Sequence, residues 1–366
     1  YVVVVNNGSV IASNDMSVVG QLTVQDTLNT TKLVSNGSVP TVVFGQVTVN
    51  STIQQFAVLR HRYVISNSSN TLQTISTADP KNMTVLNSTS VTAPLSLYVS
   101  GKYAFVSLNG GILNMYDINN PISPSLVQSL NTGINTRNMF GLYVQGEYLY
   151  TATGDSMFII YQITSVGITQ VGSLAINSAG TACKVQGTYA YVLSQTAMYV
   201  IDVANITSPV TRSTTLLSTT TTTNGYFIAI QSQTVYVVYT NNNAGSLVIY
   251  NVSNPTSIST LSTIAVQGNN TTGLVVRGNT AYISSNTGTT PSISIYDIST
   301  RASPASLGTY RLSADTLEAS GRTLYAAVST NLYSFDLSGS YIQQLETGIL
   351  DTSSLQVKQN SMFRGD

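Results

Sequence analysis

The sequence predicts an all-β protein: a seven-bladed β-propeller with four antiparallel strands per blade and short N- and C-terminal β-stalk segments. Three observations lead to this fold. An aromatic residue follows a turn residue by four positions in seven places, spaced about 41 to 46 residues apart. Polar and apolar residues alternate within short segments that are bounded by Gly, Pro and Asn, and this pattern favours strands over helices. Charged residues make up only 8% of the chain, which suits β-structure with Ser, Thr and Asn surfaces.

Each repeat contains four short segments in the same order. GLYVQ at 141–145 is a first segment, and TYAYVL at 188–193 carries the aromatic residue of a second. SLVIYNV at 246–252 is a third, and a proline-bearing turn leads to a more polar fourth such as SLVQSLN at 125–131. Because one four-stranded sheet cannot bury both faces, seven sheets are expected to pack in a ring. The seven turn-and-aromatic anchors are Leu59…Tyr63, Gly101…Phe105, Gly146…Tyr150, Gly187…Tyr191, Ser232…Tyr236, Gly278…Tyr282 and Gly321…Tyr325.

The third segment of most repeats ends in an acidic or amide residue. Asp117, Asp202 and Asp297 occupy this position in three repeats, and Asn251 takes it in a fourth. An Asx side chain there can accept backbone N–H groups of the following turn. Because an amide serves as well as a carboxylate, the pattern predicts a turn-capping role rather than catalysis.

Two strands carry a resemblance to a known family. LVIYN at 247–251 and MYVID at 198–202 resemble the name-giving strand of the LVIVD-type repeat family of β-propellers. The resemblance covers roughly residues 50–348. It implies the propeller fold and no single activity, since propellers of this kind serve many roles.

The repeat divides the chain into a β-stalk or linker segment at 1–40, the propeller at 41–348 and a C-terminal stalk-like segment at 349–366. The flanks consist of short, weakly charged Val, Leu and Thr segments such as QLTVQDTLNTTKLV at 21–34. They resemble the repetitive shafts of viral and phage fibres, which usually intertwine as trimers. That resemblance implies a homo-oligomer with the propeller as a head on a stalk.

The sequence leaves the closure of the ring open. PTVVFGQVTVN at 40–50 looks like a fourth strand, and so does YIQQLET at 341–347. Seven first strands cannot pair with eight fourth strands. One of the two segments therefore closes the ring, and the other leads into the stalk.

Residues for catalysis or metal binding are scarce. His61 is the one histidine and Cys183 the one cysteine, so the sequence supports neither a Ser-His-Asp relay nor a cysteine metal cage. Cys183 falls at a core position of a first strand, where we expect a small buried side chain. Asp155, Asp315 and Glu318 are acids without a turn role, and no spacing pairs them. We therefore predict a protein that is not an enzyme and has no metal or cofactor.

Recognition by such a scaffold is expected of its loops. The second-to-third-strand loops and the blade-to-blade connections share one face of a propeller. In this chain they are long and rich in Asn and Thr, which suits hydrogen bonds to a glycan or a protein. The residues predicted to bind a ligand are Arg137, Asn138, Asp155, Asn241, Asn242 and Asn243.

Asn-X-Ser/Thr sequons permit glycosylation of an exported protein. A formal net charge of zero predicts neither a nucleic-acid partner nor an anionic membrane. No apolar run is long enough to span a bilayer. The candidate glycosylation sites are Asn7, Asn29, Asn36, Asn50, Asn67, Asn82, Asn87, Asn205, Asn251, Asn269 and Asn270.

These observations lead to two hypotheses for a protein that is not an enzyme, and a secreted propeller enzyme is the third. The first is a non-enzymatic extracellular glycoprotein of the virion surface, a propeller head on an oligomeric fibre or spike that serves host attachment or capsid decoration. Its partners would be copies of itself through the stalk, as a homotrimer, together with capsid or surface-layer proteins and a host glycan or receptor. The alternative is a surface-layer or adhesin-like structural propeller protein of an archaeal or bacterial cell.

Overall fold

A computed structural model divides the chain into two compact units. One is Ser38–Ser338, and the other combines Tyr1–Gly37 with Gly339–Asp366. The structure describes residues 29–32, 43–60, 62–68, 70–217, 224–242, 244–287, 291–337 and 346–349. Within these ranges, no helix is long and apolar enough to cross a membrane.

The strands are numbered in chain order, and most of them group by fours into sheets. The first two are β1 (Asn29–Lys32) and β2 (Val43–Thr48). Blade 1 consists of β3 (Ile53–Leu59), β4 (Tyr63–Ser68), β5 (Thr71–Ser76) and β6 (Thr84–Ser90). Blade 2 consists of β7 (Pro94–Ser100), β8 (Tyr103–Leu108), β9 (Ile112–Asp117) and β10 (Ser125–Asn131). Blade 3 consists of β11 (Met139–Gln145), β12 (Tyr148–Thr153), β13 (Met157–Thr164) and β14 (Gly167–Ala175).

The second half of the ring repeats this arrangement. Blade 4 consists of β15 (Gly180–Gln186), β16 (Tyr189–Ser194), β17 (Ala197–Asp202) and β18 (Val210–Leu216). Blade 5 consists of β19 (Asn224–Gln231), β20 (Thr234–Asn241), β21 (Ala244–Asn251) and β22 (Ser259–Ala265). Blade 6 consists of β23 (Asn269–Arg277), β24 (Thr280–Thr287), β25 (Ser292–Asp297) and β26 (Ala305–Tyr310). Blade 7 contains β27 (Thr316–Ser320), β28 (Thr323–Val328) and β29 (Asn331–Asp336), and β30 (Glu346–Ile349) ends the series.

The predicted all-β, seven-bladed propeller with four antiparallel strands per blade is confirmed. Blades 1 to 6 pair their own four strands in chain order. The first strands of neighbouring blades contact one another around the whole ring, and β27 of blade 7 meets β3 of blade 1. The first strands therefore surround the axis and line its channel, while the half-exposed fourth strands form the rim.

Blade 7 takes its fourth strand from the other end of the chain. β2 pairs with β29 in antiparallel register, with Val47 opposite Leu332 and Thr48 opposite Asn331. Of the two segments that the sequence left open, the one at 40–50 therefore closes the ring. Residues 341–345 of the other segment lie outside the described residues, and β30, which begins at Glu346, pairs with β1.

The recurring aromatic residue packs between blades. Seven hydrophobic clusters occur in the described residues, one at each blade-to-blade interface. Tyr325 of blade 7, for example, packs with Ile53 and Val64 of blade 1. The buried aromatic residues at this position are Phe105, Tyr150, Tyr191, Tyr236, Tyr282 and Tyr325.

The anchor predicted for blade 1 is wrong by one residue at the turn and by two in the following strand. Its turn residue with positive φ is Arg60 rather than Leu59, at φ 52°. The strand register pairs Ala57 with Ile65, as Tyr98 pairs with Phe105 in blade 2. Ile65 therefore takes the place of the aromatic residue, because the blade 1 turn is one residue longer.

The Asx residues cap the turn that follows the third strand, as predicted. The Oδ1 atoms of Asp117, Asp202 and Asp297 accept the backbone N–H two residues further on, at 2.7, 2.9 and 2.8 Å. Asn251 does the same at 3.0 Å. An amide thus replaces the carboxylate without loss of the contact.

The same turn also joins neighbouring blades. Ser213 of blade 4 donates to the carbonyl of Pro255 in the turn of blade 5, at 2.9 Å. Ser334 of blade 7 donates to the carbonyl of Pro80 in the turn of blade 1, at 2.6 Å. Gly172 of blade 3 lies so close to the next turn that a Cβ there would be 1.9 Å from the carbonyl oxygen of Ile206. The repeated turn therefore forms part of the interface between sheets.

The turn after the first strand requires a left-handed backbone, which gives a matched pair of substitutions. Ser232 has φ 56° and Gly278 has φ 55° at equivalent positions. We expect Ser232→Gly to raise the free energy of unfolding by about 1 kcal/mol, because the side-chain clash in this conformation disappears. Gly278→Ser should lower it by about the same amount. No heavy atom lies within 4 Å of a Cβ at Gly278, so only backbone strain is tested. Urea unfolding measures both changes. If the two substitutions shift the free energy of unfolding in the same direction, the left-handed conformation of this turn is contradicted.

Candidate functional site

Three of the predicted ligand-binding residues meet on the loop face, defined as the face of the second-to-third-strand loops and the blade connections. Arg137 Nε donates to Asp155 Oδ2 at 2.9 Å, and their side chains are 14% and 16% exposed. Thr153 Oγ1 donates to the other carboxylate oxygen of Asp155 at 2.6 Å. Asp155 is therefore held by two side chains. The loops of blade 3 are thereby fixed in one arrangement.

Asn138 connects this pair to blade 2. Its Oδ1 accepts the backbone N–H of Gly110 at 3.2 Å, and its carbonyl accepts the N–H of Gly154 at 2.8 Å. The structure thus brings Arg137, Asn138 and Asp155 together, although the sequence singled them out without a spacing argument. The ionisable groups of this cluster contact each other and the neighbouring loops.

The other predicted ligand-binding residues belong to another blade. Asn241 ends β20 in blade 5, and Asn242 follows it with a positive φ of 48°. Asn243 lies outside the described residues. A ligand would therefore have to reach from the connection before blade 3 to the loops of blade 5 to touch both groups.

The sequons differ in accessibility. Asn67 is fully buried and its Oδ1 accepts the backbone N–H of Gln55 at 2.7 Å, so we expect no glycan there in the folded chain. Asn7, Asn36 and the side chain of Asn29 lie outside the described residues. The exposed sites are Asn50, Asn82, Asn205 and Asn269, and the half-buried ones are Asn87, Asn251 and Asn270.

Cys183 is buried, as predicted. Its Sγ lies 3.0 Å from the carbonyl oxygen of Gly141, and burial raises the pKa of the thiol to about 12. A thiol with this pKa is a poor nucleophile at neutral pH. Among the described residues, no group of three or more His, Cys, Asp or Glu side chains could hold a metal ion. His61 lies outside them.

A second cluster lies in the channel. Each first strand contributes one residue at the same level, directly opposite the buried aromatic position of the second strand. All seven side chains are half-buried, as expected for a channel wall. We call this set the channel ring, and in blade order its members are Ala57, Tyr98, Tyr143, Lys184, Ala229, Val275 and Glu318.

The bulky members converge from blades 2, 3, 4 and 7. Lys184 Nζ lies 4.8 Å from the ring centroid of Tyr143 and 5.5 Å from that of Tyr98, two blades away. The two tyrosine rings are themselves 5.3 Å apart. Glu318 of blade 7 interacts electrostatically with both Lys184 and Tyr98. The four side chains therefore form one cluster across the channel.

Burial shifts the ionisation of this cluster. Protein atoms surround the Glu318 carboxyl and raise its pKa to about 7, although the positive charge of Lys184 opposes the shift. The same desolvation lowers the pKa of Lys184, and the negative charge of Glu318 opposes it. The pKa values of Tyr98 and Tyr143 rise, mainly through burial. Perturbed groups in a cleft are a recognised sign of a functional site.

Sequence reasoning missed this cluster, although it named Glu318 as an acid without a role. The signal was available in the register of the repeat. Lys184 follows the buried Cys183, and Glu318 follows the buried Leu317, at the same place in two first strands. A charged residue in the middle of an otherwise apolar first strand indicates a position that lines the channel.

The fold and the family comparison define the class of protein. Three segments match the LVIVD repeat model, residues 95–132, 179–215 and 267–311, and they correspond to blades 2, 4 and 6. The chain is thus a seven-bladed β-propeller that carries LVIVD repeats, as the resemblance implied. No curated protein matches the sequence.

Solved structures resemble the chain in fold. A chain in a crystal structure of the mitotic checkpoint complex has a TM-score of 0.66 at 12% identity, over 88% of this chain and 99% of that one. The computationally designed Ika8 protein has a TM-score of 0.55 at 12% identity, over 79% of this chain and 97% of its own. At such low identity the likeness shows the fold alone.

The raised pKa of Glu318 makes stability depend on pH. The folded chain holds the Glu318 proton more tightly than the unfolded chain, whose ordinary pKa is 4.5. Stability should therefore fall as the pH rises from about 4.5 to about 7, and the loss should be complete above that. We expect Glu318→Gln to match the wild type near pH 4.5 and to exceed it in stability by about 3 kcal/mol near pH 8.

Urea unfolding at the two pH values measures this effect. The exposed carboxylate of Glu147 provides the control, since Glu147→Gln should change stability little at either pH. If Glu318→Gln is instead less stable than the wild type near pH 8, the ionised carboxylate stabilises the fold and the predicted sign is wrong.

Proposed function

We propose that the protein is a non-enzymatic surface protein of a virion, in which the propeller is the head of an oligomeric fibre or spike used for attachment or capsid decoration. The pairing of the flanks carries this proposal. β1 and β30 form a parallel pair, with Asn29 opposite Glu346 and Lys32 opposite Ile349. Among the described residues this pair is a sheet of only two short strands. Such a sheet is marginal in water, so strands from other copies would complete it as a stalk.

The loop face supports a role in recognition. Asp155 takes the Nε of Arg137, and among the described residues no acceptor takes its terminal guanidinium nitrogens. These donors are held in place before any ligand arrives, which reduces the ordering cost of binding. Together with the polar loops around Asn138, they suit the hydroxyl and carboxylate groups of a glycan.

Composition and sequons support an extracellular location. The chain has few charges and many Ser, Thr and Asn residues, and Asn82 and Asn205 are exposed sequons. Glycans there would lie at the turns after third strands. We propose a glycoprotein on this basis, with copies of itself, a capsid protein and a host glycan or receptor as partners.

The test compares the full chain with residues 38–338, which contain the complete propeller unit and its closing strand. Light scattering should give a trimer for the full chain and a monomer for the fragment. On a glycan array the full chain should bind roughly a hundredfold or more tightly than the fragment, because a stalk makes attachment multivalent. Arg137→Ala should abolish binding of both. Lys102→Ala, on an exposed turn of the opposite face, is the matched control.

Each failure has a distinct meaning. A monomeric full chain contradicts the stalk. Filaments or two-dimensional lattices instead of trimers favour the surface-layer alternative. Glycan binding that survives Arg137→Ala, or that Lys102→Ala removes equally, contradicts recognition by the loop face. Absence of binding to any glycan contradicts a glycan receptor.

A further inference from the structure

We propose that the channel of the propeller binds a small zwitterion, whose carboxylate contacts Lys184 and whose ammonium group contacts Glu318. This site is separate from the loop face and does not depend on the proposed surface role. It rests on the position of two charged side chains, on the absence of an ion pair or hydrogen bond to them among the described residues and on the residues of the channel ring.

Neither charged group forms an ion pair or a hydrogen bond in the part of the chain that the structure describes. There, the ion pairs within 4.0 Å are Arg137–Asp155 and Arg212–Asp202. Lys184 and Glu318 are therefore farther apart than a contact pair, and no described residue forms a hydrogen bond with either side chain. They are nevertheless close enough to shift each other's ionisation. Their charged atoms are thus more than 4.0 Å apart, a separation that a ligand carrying both opposite charges can bridge.

The environment makes unpaired charges costly. Protein atoms surround both groups, while their half-buried side chains remain accessible from the channel. A partly desolvated ion is stabilised most by an opposite charge that also forms hydrogen bonds. A carboxylate at Lys184 and an ammonium group at Glu318 would supply both.

The net charge of the cluster selects a dipolar ligand. A simple anion attracted to Lys184 would be repelled by Glu318, and a simple cation attracted to Glu318 would be repelled by Lys184. A molecule with both charges gains two attractions, and its net charge matches that of the pair. Neutral polyols would form hydrogen bonds but leave both charges uncompensated.

The small apolar members of the ring lie on the side of Glu318. Tyr98 and Tyr143 fill the channel next to Lys184 and fix its ammonium group over their rings. Glu318 has Val275 and Ala57 as its neighbours in the ring, and the small Ala229 follows Lys184. The carbon chain of a ligand would lie along these small apolar side chains.

The experiment titrates the full chain with unbranched amino acids of increasing length, from glycine through 4-aminobutyrate to 6-aminohexanoate, in calorimetry near pH 8. We expect one length to bind best, because the gap between the two charges is fixed. Acetate and methylammonium, which carry one charge each, should not bind. Lys184→Met and Glu318→Gln should each weaken binding by about tenfold or more. Both substitutions keep side-chain size and remove a charge.

Two controls carry the same groups elsewhere. Lys102 Nζ also lies over a tyrosine ring, 5.1 Å from the centroid of Tyr103, but outside the channel ring, and Lys102→Met should leave binding unchanged. Glu147→Gln is the exposed carboxylate control. If a channel variant does not fold, an NMR titration of the wild type takes its place, with the ring signals of Tyr98 and Tyr143 as the readout. They should shift on titration.

Any of four results would overturn the proposal. The first is that no amino acid binds at concentrations up to roughly 10 mM, a range that covers weak sites. The second is unchanged binding in both channel variants, and the third is an equal loss of binding in the Lys102→Met control. The fourth is that the tyrosine ring signals do not move when the best ligand is added.

Discussion

The pairing of β2 with β29 is the contact on which the rest of the propeller depends. Each blade buries its faces against two neighbours, so the ring is stable only when it is continuous. Blade 7 has three strands of its own, and the N-terminal side of the chain supplies the fourth. This exchange joins the two ends of the repeat by backbone hydrogen bonds. Without it, blade 7 would present the edge of β29 to solvent.

Closure also explains features that look local. The Pro80 turn of blade 1 accepts a hydrogen bond from Ser334 of blade 7, as the Pro255 turn of blade 5 does from Ser213 of blade 4. The buried aromatic residue of the second strand packs against the next blade in blades 2 to 7, so Tyr325 reaches across the seam to Ile53. Ring closure is therefore made of the same contacts that repeat at the other interfaces, with the added exchange of one strand.

The closed ring creates the channel chemistry. Lys184 and Glu318 belong to blades 4 and 7, and they interact only because seven first strands surround one axis. The site is therefore a product of the ring rather than of any blade. The loop face is different in kind, because Arg137 and Asp155 come from adjacent loops and one blade interface is enough to form the pair.

The fold followed from the sequence because its repeat is encoded locally. Turn residues, alternating strands and the Asx caps at Asp117 and Asp297 each depend on a few neighbouring residues. The turn residue of the blade 1 anchor was misplaced by one position. The turn at Arg60 is longer than the other turns and lacks the glycine that marks most of them.

The choice of the closing strand and the channel cluster required long-range information. Residues 40–50 and 341–347 have the same pattern, and only pairing distinguishes them. Lys184 and Glu318 are far apart in the chain, and the tyrosines near them read as ordinary core residues. Of the predicted ligand-binding residues, Arg137, Asn138 and Asp155 lie together, whereas Asn241 lies in blade 5.

Disulfide formation between β2 and β29 tests the central claim most directly. Thr48 lies opposite Asn331, and its Oγ1 donates to Asn331 Oδ1 at 2.7 Å, so cysteines at both positions should form an intramolecular bond. The native Cys183 is buried and should not interfere. Thr48→Cys with Ser129→Cys, in the rim strand of blade 2, is the control. Closure by β2 predicts a bond within single chains of the first variant and none in the control. Free thiols in the first variant under oxidising conditions would contradict closure by β2.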